Sequence, residues 1–275
     1  MTKRLHTLTV GTVGPRIAFL HGLFGQGRNW NQIAKALAGQ DGSAAQCLLI
    51  DLPDHGRSPW TAEFSFAAYA DAVAATLRAA APGETWTLVG HSLGGKTAMV
   101  LALLHPDIVD HLVVVDIAPK DYGSLERFQG YIDEMRALPL EEIESRADAE
   151  ARFEEPNPGV KAFLLQNLRS DRSHGRTQWR WQANLELFAT DAALGHDSRI
   201  AGWPKSVDDL PPYEGPVLWI SGGDSPYVQP EDGDTMRRYF PLARQVTIKG
   251  AGHWVHTEAP EIIVEALRRV LARER

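Results

Sequence analysis

The feature that most constrains this chain is the pentapeptide Gly90-His91-Ser92-Leu93-Gly94 together with its flanks. An apolar, β-prone run, Thr85-Trp86-Thr87-Leu88-Val89, leads into it, and a helical run over residues 96–104 leaves it. A serine on a turn that tight has a strained backbone, and only residues without side-chain bulk can flank it. Gly90 and Gly94 meet that need, and Gly95 gives the helix room to approach the strand. The turn lifts the Ser92 hydroxyl clear of the sheet edge, at the positive end of a helix dipole. A glycine-rich strand–helix turn with an incidental serine is the plainer reading. The strand-before, helix-after context makes Ser92 a candidate nucleophile instead.

Short apolar, β-branched runs recur at residues 17–20, 47–50, 86–89, 112–115, 217–220 and 246–248. Helical patterns at 31–37, 66–80, 93–104 and 260–271 alternate with them. This predicts an α/β fold, a mostly parallel sheet with helices on both faces. Residues 5–10 are expected to add an antiparallel edge strand, and Pro260 fits the first turn of the last helix. The rhythm breaks over residues 120–212, where no core-type β run occurs. That region is expected to be an inserted, mainly helical cap on a core domain made of residues 1–119 and 213–275. Residues 121–155 carry eleven acidic against four basic side chains, and residues 161–186 carry five basic against two acidic. The two halves are expected to attract each other, or simply to form a solvated surface. Residues 160–168 read as an amphipathic helix. Trp179, Trp181, Ala183, Leu185 and Leu187 alternate with Arg180, Gln182, Asn184 and Glu186, which predicts an extended segment with one apolar face. Trp179 and Trp181 then either line an acyl pocket or pack the cap on the core.

With 275 residues, 44% of them hydrophobic, the chain can bury a substantial core. A formal charge of −7 argues against nucleic-acid binding. The single cysteine, Cys47, sits in an apolar run and reads as a buried structural thiol. Residues 1–10 lack the apolar core of a secretory signal, and no apolar run reaches membrane-spanning length. The expectation is a soluble, cytoplasmic protein acting on a small molecule.

A serine hydroxyl needs a base. His253, in Lys249-Gly250-Ala251-Gly252-His253-Trp254, falls just past the last strand, at the sheet edge that also carries Ser92. His256 is its near rival. His21, His55 and His91 read as loop or turn residues with local hydrogen bonds, and no histidine spacing matches a zinc motif. The base needs a carboxylate to orient it. Asp116 ends the run Leu112-Val113-Val114-Val115-Asp116, and Asp224 follows the 217–220 run; both give the chain order Ser, Asp, His. Asp51 ends a strand too, but its surroundings read as a structural turn. Two backbone N–H donors should face the oxyanion. One is Leu93, after the nucleophile. The other lies in His21-Gly22-Leu23-Phe24-Gly25, with Leu23 preferred and Phe24 the alternative.

Taken together, these segments resemble the α/β-hydrolase superfamily across nearly the whole chain. They are most similar to the small bacterial serine esterases of the YbfF type and their mitochondrial relatives. The resemblance is carried by residues 21–25 with Asn29-Trp30, residues 51–59, residues 90–96, Val113-Val114-Val115-Asp116-Ile117-Ala118-Pro119, and residues 222–228 with 250–256. It implies hydrolysis of carboxylic esters of short to medium acyl chains, or of acyl thioesters, through an acyl-enzyme and without metal or organic cofactor. Many superfamily members carry Gly-x-x-Asp-Pro in the later loop. Counted from Gly222, that slot holds Ser225 here, and Asp224 stands one residue early. This favours Asp116 as the acid, with Ser225 as an accessory partner of His253; Asp224 stays as the alternative. An acidic residue at 224 departs from the esterase pattern. Lactonases, peptidases and C–C hydrolases share the triad. A serine at this turn argues against dehalogenases and epoxide hydrolases of the fold, which use aspartate there. A non-catalytic binding protein on the same scaffold is the remote alternative.

Overall fold

The computed structural model describes residues 4–39, 45–173 and 176–272; residues 1–3, the start of the stretch read for a leader, lie outside them. The chain begins with β1 (Thr7–Val10), β2 (Arg16–Leu20), α1 (Asn31–Leu37), β3 (Gln46–Ile50) and α2 (Phe66–Ala80). It continues with β4 (Trp86–His91), α3 (Leu93–Leu104) and β5 (Val109–Val115). An excursion follows: α4 (Glu126–Ala137), α5 (Arg146–Arg152), α6 (Pro158–Leu165), the hairpin β6 (Leu168–Ser173) and β7 (Arg176–Trp181), then α7 (Leu185–Ala192). β8 (Val217–Gly222), α8 (Gly233–Tyr239), β9 (Ala243–Ile248), α9 (Val255–Glu258) and α10 (Pro260–Ala272) return to the core.

The main sheet has seven strands in the order β1-β3-β2-β4-β5-β8-β9, all parallel except β1, which runs antiparallel to β3. This is the architecture of the α/β-hydrolase fold. Both faces are covered, so consecutive strand residues enter opposite cores. Ala18 and Leu20 join one apolar cluster with α2 and α3, and Ile17 and Phe19 join the other with α1 and α10. Leu112 and Val114 divide from Val113 and Val115 in the same way. Hydrogen bonds step across the carboxyl edge: Ser92 N–H donates to the Val115 carbonyl (3.1 Å) and Asp116 N–H to the Ile220 carbonyl (2.8 Å). The residues following β4, β5 and β8 therefore emerge side by side.

The alternating segment after residue 178 is not extended throughout. The strand stops at Trp181, and the Asn184 side chain accepts from Leu187 N–H and caps α7. A capping Asn ends the two-residue period because it opens a helix. Leu168, read as helical, instead opens β6. The excursion's two halves meet through Arg136 on α4 and Glu186 on α7, both guanidinium contacts at 3.0 Å. Each belongs to the minority charge of its half, so this contact is not the bulk attraction expected from the charge totals. Among the described residues, no helix is long and apolar enough to cross a membrane.

Candidate active site

Ser92 occupies the turn between β4 and α3 with φ 52°, a left-handed value rare for a residue with a side chain. Sterics hold it there. A Cβ on Gly90 would sit 2.3 Å from the Gly94 carbonyl oxygen, and one on Gly94 would sit 2.5 Å from the Leu20 and His21 carbonyl oxygens. These contacts are backbone and cannot yield, so the Ser92 turn, α3 and β2 approach as closely as they do only with glycine. Leu93 opens the twelve-residue α3, and its N–H has no acceptor within the helix.

His253 lies in the loop between β9 and α9. Its Nδ1 is 2.8 Å from Asp116 Oδ2. Asp116 follows β5, is fully buried, and has φ 53°. Its Oδ1 accepts from Gly222 N–H at 2.8 Å, and its Oδ2 also accepts a short hydrogen bond from Ser225 Oγ. Three donors converging on a buried carboxylate hold it in place. Asp224 is exposed, and its backbone N–H donates to the Ala251 carbonyl at 2.9 Å. The alternative acid therefore does not reach the histidine: one residue's offset on this turn sends its side chain to solvent. His256 stacks on Trp30 at 4.6 Å between ring centroids, and burial lowers its pKa to about 3.

Ser92 and His253 line one small cavity of about 40 Å³ together with Gly22, Leu23 and Phe24. Ser92, Leu23 and Leu93 also line a larger one of about 540 Å³. The larger cavity is walled by Ile117, Tyr122, Leu125, Phe128, Ile200 and Tyr227, mostly from the segment after β5. Gly22 sits against Ser92, since an added Cβ would lie 3.3 Å from Ser92 Cβ. The 21–25 loop is pinned from three directions. His21 Nδ1 donates to the Gly22 carbonyl (2.8 Å), Leu52 N–H donates to His21 Nε2 (3.0 Å), and Asn167 Nδ2 donates to the Phe24 carbonyl (2.8 Å). Phe24 itself has φ 60°. Asp51 holds Gly27 N–H and Arg57 N–H (2.8 and 2.9 Å), the structural turn its surroundings implied.

Trp179 and Trp181 do not line the Ser92 cavities. Trp179 packs half-buried against the core, and Trp181 is buried near Phe153, with ring centroids 6.4 Å apart. The strand that carries them ends before the chain reaches the site.

Sequence reasoning missed other neighbours. Tyr227 stacks on His253 with centroids 4.0 Å apart and planes 23° from parallel. Tyr122 Oη donates to the Tyr227 carbonyl at 2.6 Å and fixes that loop. His91 is not locally bonded: its Nε2 donates to the His253 carbonyl at 2.8 Å. Burial, reinforced by His256 and His253, keeps its pKa well below the usual histidine value. Lys96, in the run that carried the resemblance, lies buried on the larger cavity's wall, and burial lowers its pKa to about 7. Among the described residues, no three His, Cys, Asp or Glu side chains converge as a metal site would.

Residues 15–260 match the profile of the alpha/beta hydrolase fold family. The chain is 37% identical over 267 residues to a mouse protein named sn-1-specific diacylglycerol lipase ABHD11, covering 94% of this chain and 81% of that one. It is 33% identical over 257 residues to the esterase YbfF of Escherichia coli K12, covering 93% and 92%. Among solved structures, a marine microorganism esterase superposes with a TM-score of 0.85 at 30% identity, covering 96% of this chain and 98% of that one.

Proposed function

The chain belongs to the α/β-hydrolase family, and from that premise we propose that it hydrolyses carboxylic esters through Ser92, His253 and Asp116. The observation that carries this reading is the Asp116 carboxylate, buried and hydrogen-bonded to His253 Nδ1 beside the strained Ser92 turn. With Nδ1–H held by the carboxylate, Nε2 is the free base. Ser92 Oγ attacks the ester carbonyl carbon while His253 Nε2 takes its proton. The carbonyl oxygen becomes an anion facing the Leu93 and Leu23 amides. His253 returns the proton to the leaving alcohol, and Ser92 keeps the acyl group. Water, deprotonated by His253, then attacks the acyl-enzyme and releases the acid and Ser92. Ser225 assists by holding Asp116 rather than by touching substrate.

Residues 120–212 act as a cap in this reading. They supply half of the residues that wall the 540 Å³ cavity, which suits a short to medium acyl chain. The esterase and lipase names of the relatives support the ester as substrate. The test is hydrolysis of p-nitrophenyl esters from acetate to palmitate by wild type and Ser92→Ala. Activity on shorter chains, reduced by about 10⁶ in the variant, supports the reading. Activity that survives Ser92→Ala overturns it.

A further inference from the structure

Two grooves meet on the surface around Trp60, and neither shares a residue with the cavities at Ser92. The first, of about 500 Å³, is lined by Arg57, Arg169 and Arg180 together with Ser58 and Gln182. The second, of about 650 Å³, is lined by Ala137, Leu140, Ala183 and Leu185, with the Arg136–Glu186 pair among its walls. Trp60, Arg180 and Trp181 belong to both, so the grooves form one continuous trough with a cationic half and an apolar half.

We propose that this trough binds an amphipathic phosphate monoester, with its phosphate among Arg57, Arg169 and Arg180 and its alkyl or acyl chain along Trp60, Ala137 and Leu140. In a chain of net charge −7, three guanidinium groups gathered in one groove need a reason. Among the described residues, none of the three lies within 4.0 Å of a carboxylate, although nine other lysine or arginine pairings of that kind occur. Among the described residues that line the groove, the one carboxylate, Asp171, is exposed. Arg28 also feels the cluster: burial lowers its pKa first, Asp51 opposes, and Arg146, Arg57 and Arg169 push it down further. Three arginines and one aspartate leave a charge of about +2, which a phosphate monoester of roughly −1.5 to −2 neutralises. Guanidinium forks match phosphate oxygens bidentately, whereas a single carboxylate would use only part of the set. Trp60 is 55% exposed at the junction, an apolar ring that the fold's own core leaves uncovered. A chain lying from the arginines into the apolar half would cover it.

The probe is octyl phosphate, which has no carboxylic ester for Ser92 to cleave. Its binding is titrated by calorimetry and by tryptophan fluorescence, beside 1-octanol and inorganic phosphate. The expected result is saturable binding at least tenfold tighter than either fragment, weakened by salt. Arg169→Gln and Arg180→Gln each weaken it about tenfold, and Trp60→Ala weakens octyl phosphate but not inorganic phosphate. Melting temperature and p-nitrophenyl butyrate hydrolysis stay at wild-type values in the two arginine variants. Octanol binding as tightly as octyl phosphate overturns the proposal, because the head then contributes nothing. Inorganic phosphate binding as tightly overturns it too, reducing the trough to a plain anion site. Unchanged affinity in the arginine variants places the ligand elsewhere, and no saturable binding removes the site.

Discussion

Replacing Lys96 with methionine removes the pH dependence that a buried amine imposes on stability. Lys96 lies one helical turn after Ser92 and is 2% exposed. Its Nζ donates to the Ala201 and Gly202 carbonyls at 2.6 Å each, and it lies 4.8 Å from the centroid of the Tyr122 ring. A neutral amine has two hydrogens, enough for both carbonyls, so losing the proton breaks neither bond. Burial lowers the pKa from 10.5 to about 7, with Asp121 opposing and Lys120 assisting. Between those two values the unfolded chain holds the proton and the folded chain does not, so stability rises with pH across that window. Below it both states are charged, and the penalty of burying the ammonium is present in full. The slope approaches about 1.4 kcal/mol per pH unit, and integrating from about pH 6 to about pH 8.5 gives roughly 2 kcal/mol. Lys96→Met leaves the two carbonyls without a donor at every pH, a constant loss, and lacks this slope. The wild-type advantage over Lys96→Met should therefore grow by about 2 kcal/mol over that range, or about 4–8 °C in melting temperature for a chain of this size. Thermal melts of both proteins at three pH values in that interval measure it. Two curves that run parallel would refute the reasoning, since they would mean Lys96 does not change charge there.

Asp116→Asn should lower kcat on p-nitrophenyl butyrate by about 10⁴, and Asp224→Asn should leave it within a factor of about two; the reverse pattern would move the acid to Asp224. Gly22→Ala places a Cβ 2.9 Å from His91 Nδ1 and 3.3 Å from Ser92 Cβ. It should reduce kcat/KM by roughly tenfold or more, because loop displacements of about 1 Å already cost about 10²; an unchanged value would show that the loop yields freely. Burial lowers the pKa of His21 to about 4, and of His55 and His256 to about 3. Their stabilising effect is complete above 6.5 and is lost as pH falls from there toward the folded values, at up to about 1.4 kcal/mol per pH unit for each ring. Urea midpoints should accordingly drop steeply from about pH 6.5 to pH 5. His55→Phe should flatten the drop, and a drop as steep as the wild type's would mean His55 does not titrate on unfolding.

The parts of this site legible in sequence are those imposed by the backbone. Gly90, Gly94 and the β-branched run before them permit few folds, and the turn they imply is present with Ser92 at φ 52°. Asp116 and His253 are candidates by their strand ends, because a parallel sheet delivers its loops to one edge, and the fold brings them within 2.8 Å. What sequence left open was decided by side-chain direction. Asp116 and Asp224 both follow strands; the one-residue offset of Asp224 favours Asp116, and the folded turn has the Asp116 carboxylate pointing inward. The two-residue period after Trp179 misled because alternation persists by chance into a helix that begins at Leu185. Tyr227, Tyr122 and Lys96 carried no periodic signal at all. Their roles come from contacts between segments distant in sequence, which composition and spacing do not encode.

His21, His55 and His91, read as loop or turn residues, and His256, read as the rival base, share a physical role that joins fold to chemistry. His91 sits with its ring centroid 4.7 Å from His253 and 4.5 Å from His256, while His21 and His55 lie 5.0 Å apart beneath the 21–25 loop. His21, His55, His91 and His256 are each kept neutral chiefly by burial. Acyl transfer by a serine places a positive charge on the base for the lifetime of the tetrahedral intermediate. A protonated ring at the distance of His91 would oppose that charge in a medium that screens poorly. Neutral imidazoles instead provide flat packing surfaces and single N–H donors, of which His91 uses one to hold the His253 carbonyl. In the proposed reaction, the same burial that makes the fold sensitive to acid therefore keeps neighbouring rings from adding a second positive charge beside His253, whose Nδ1 stays 2.8 Å from Asp116 Oδ2.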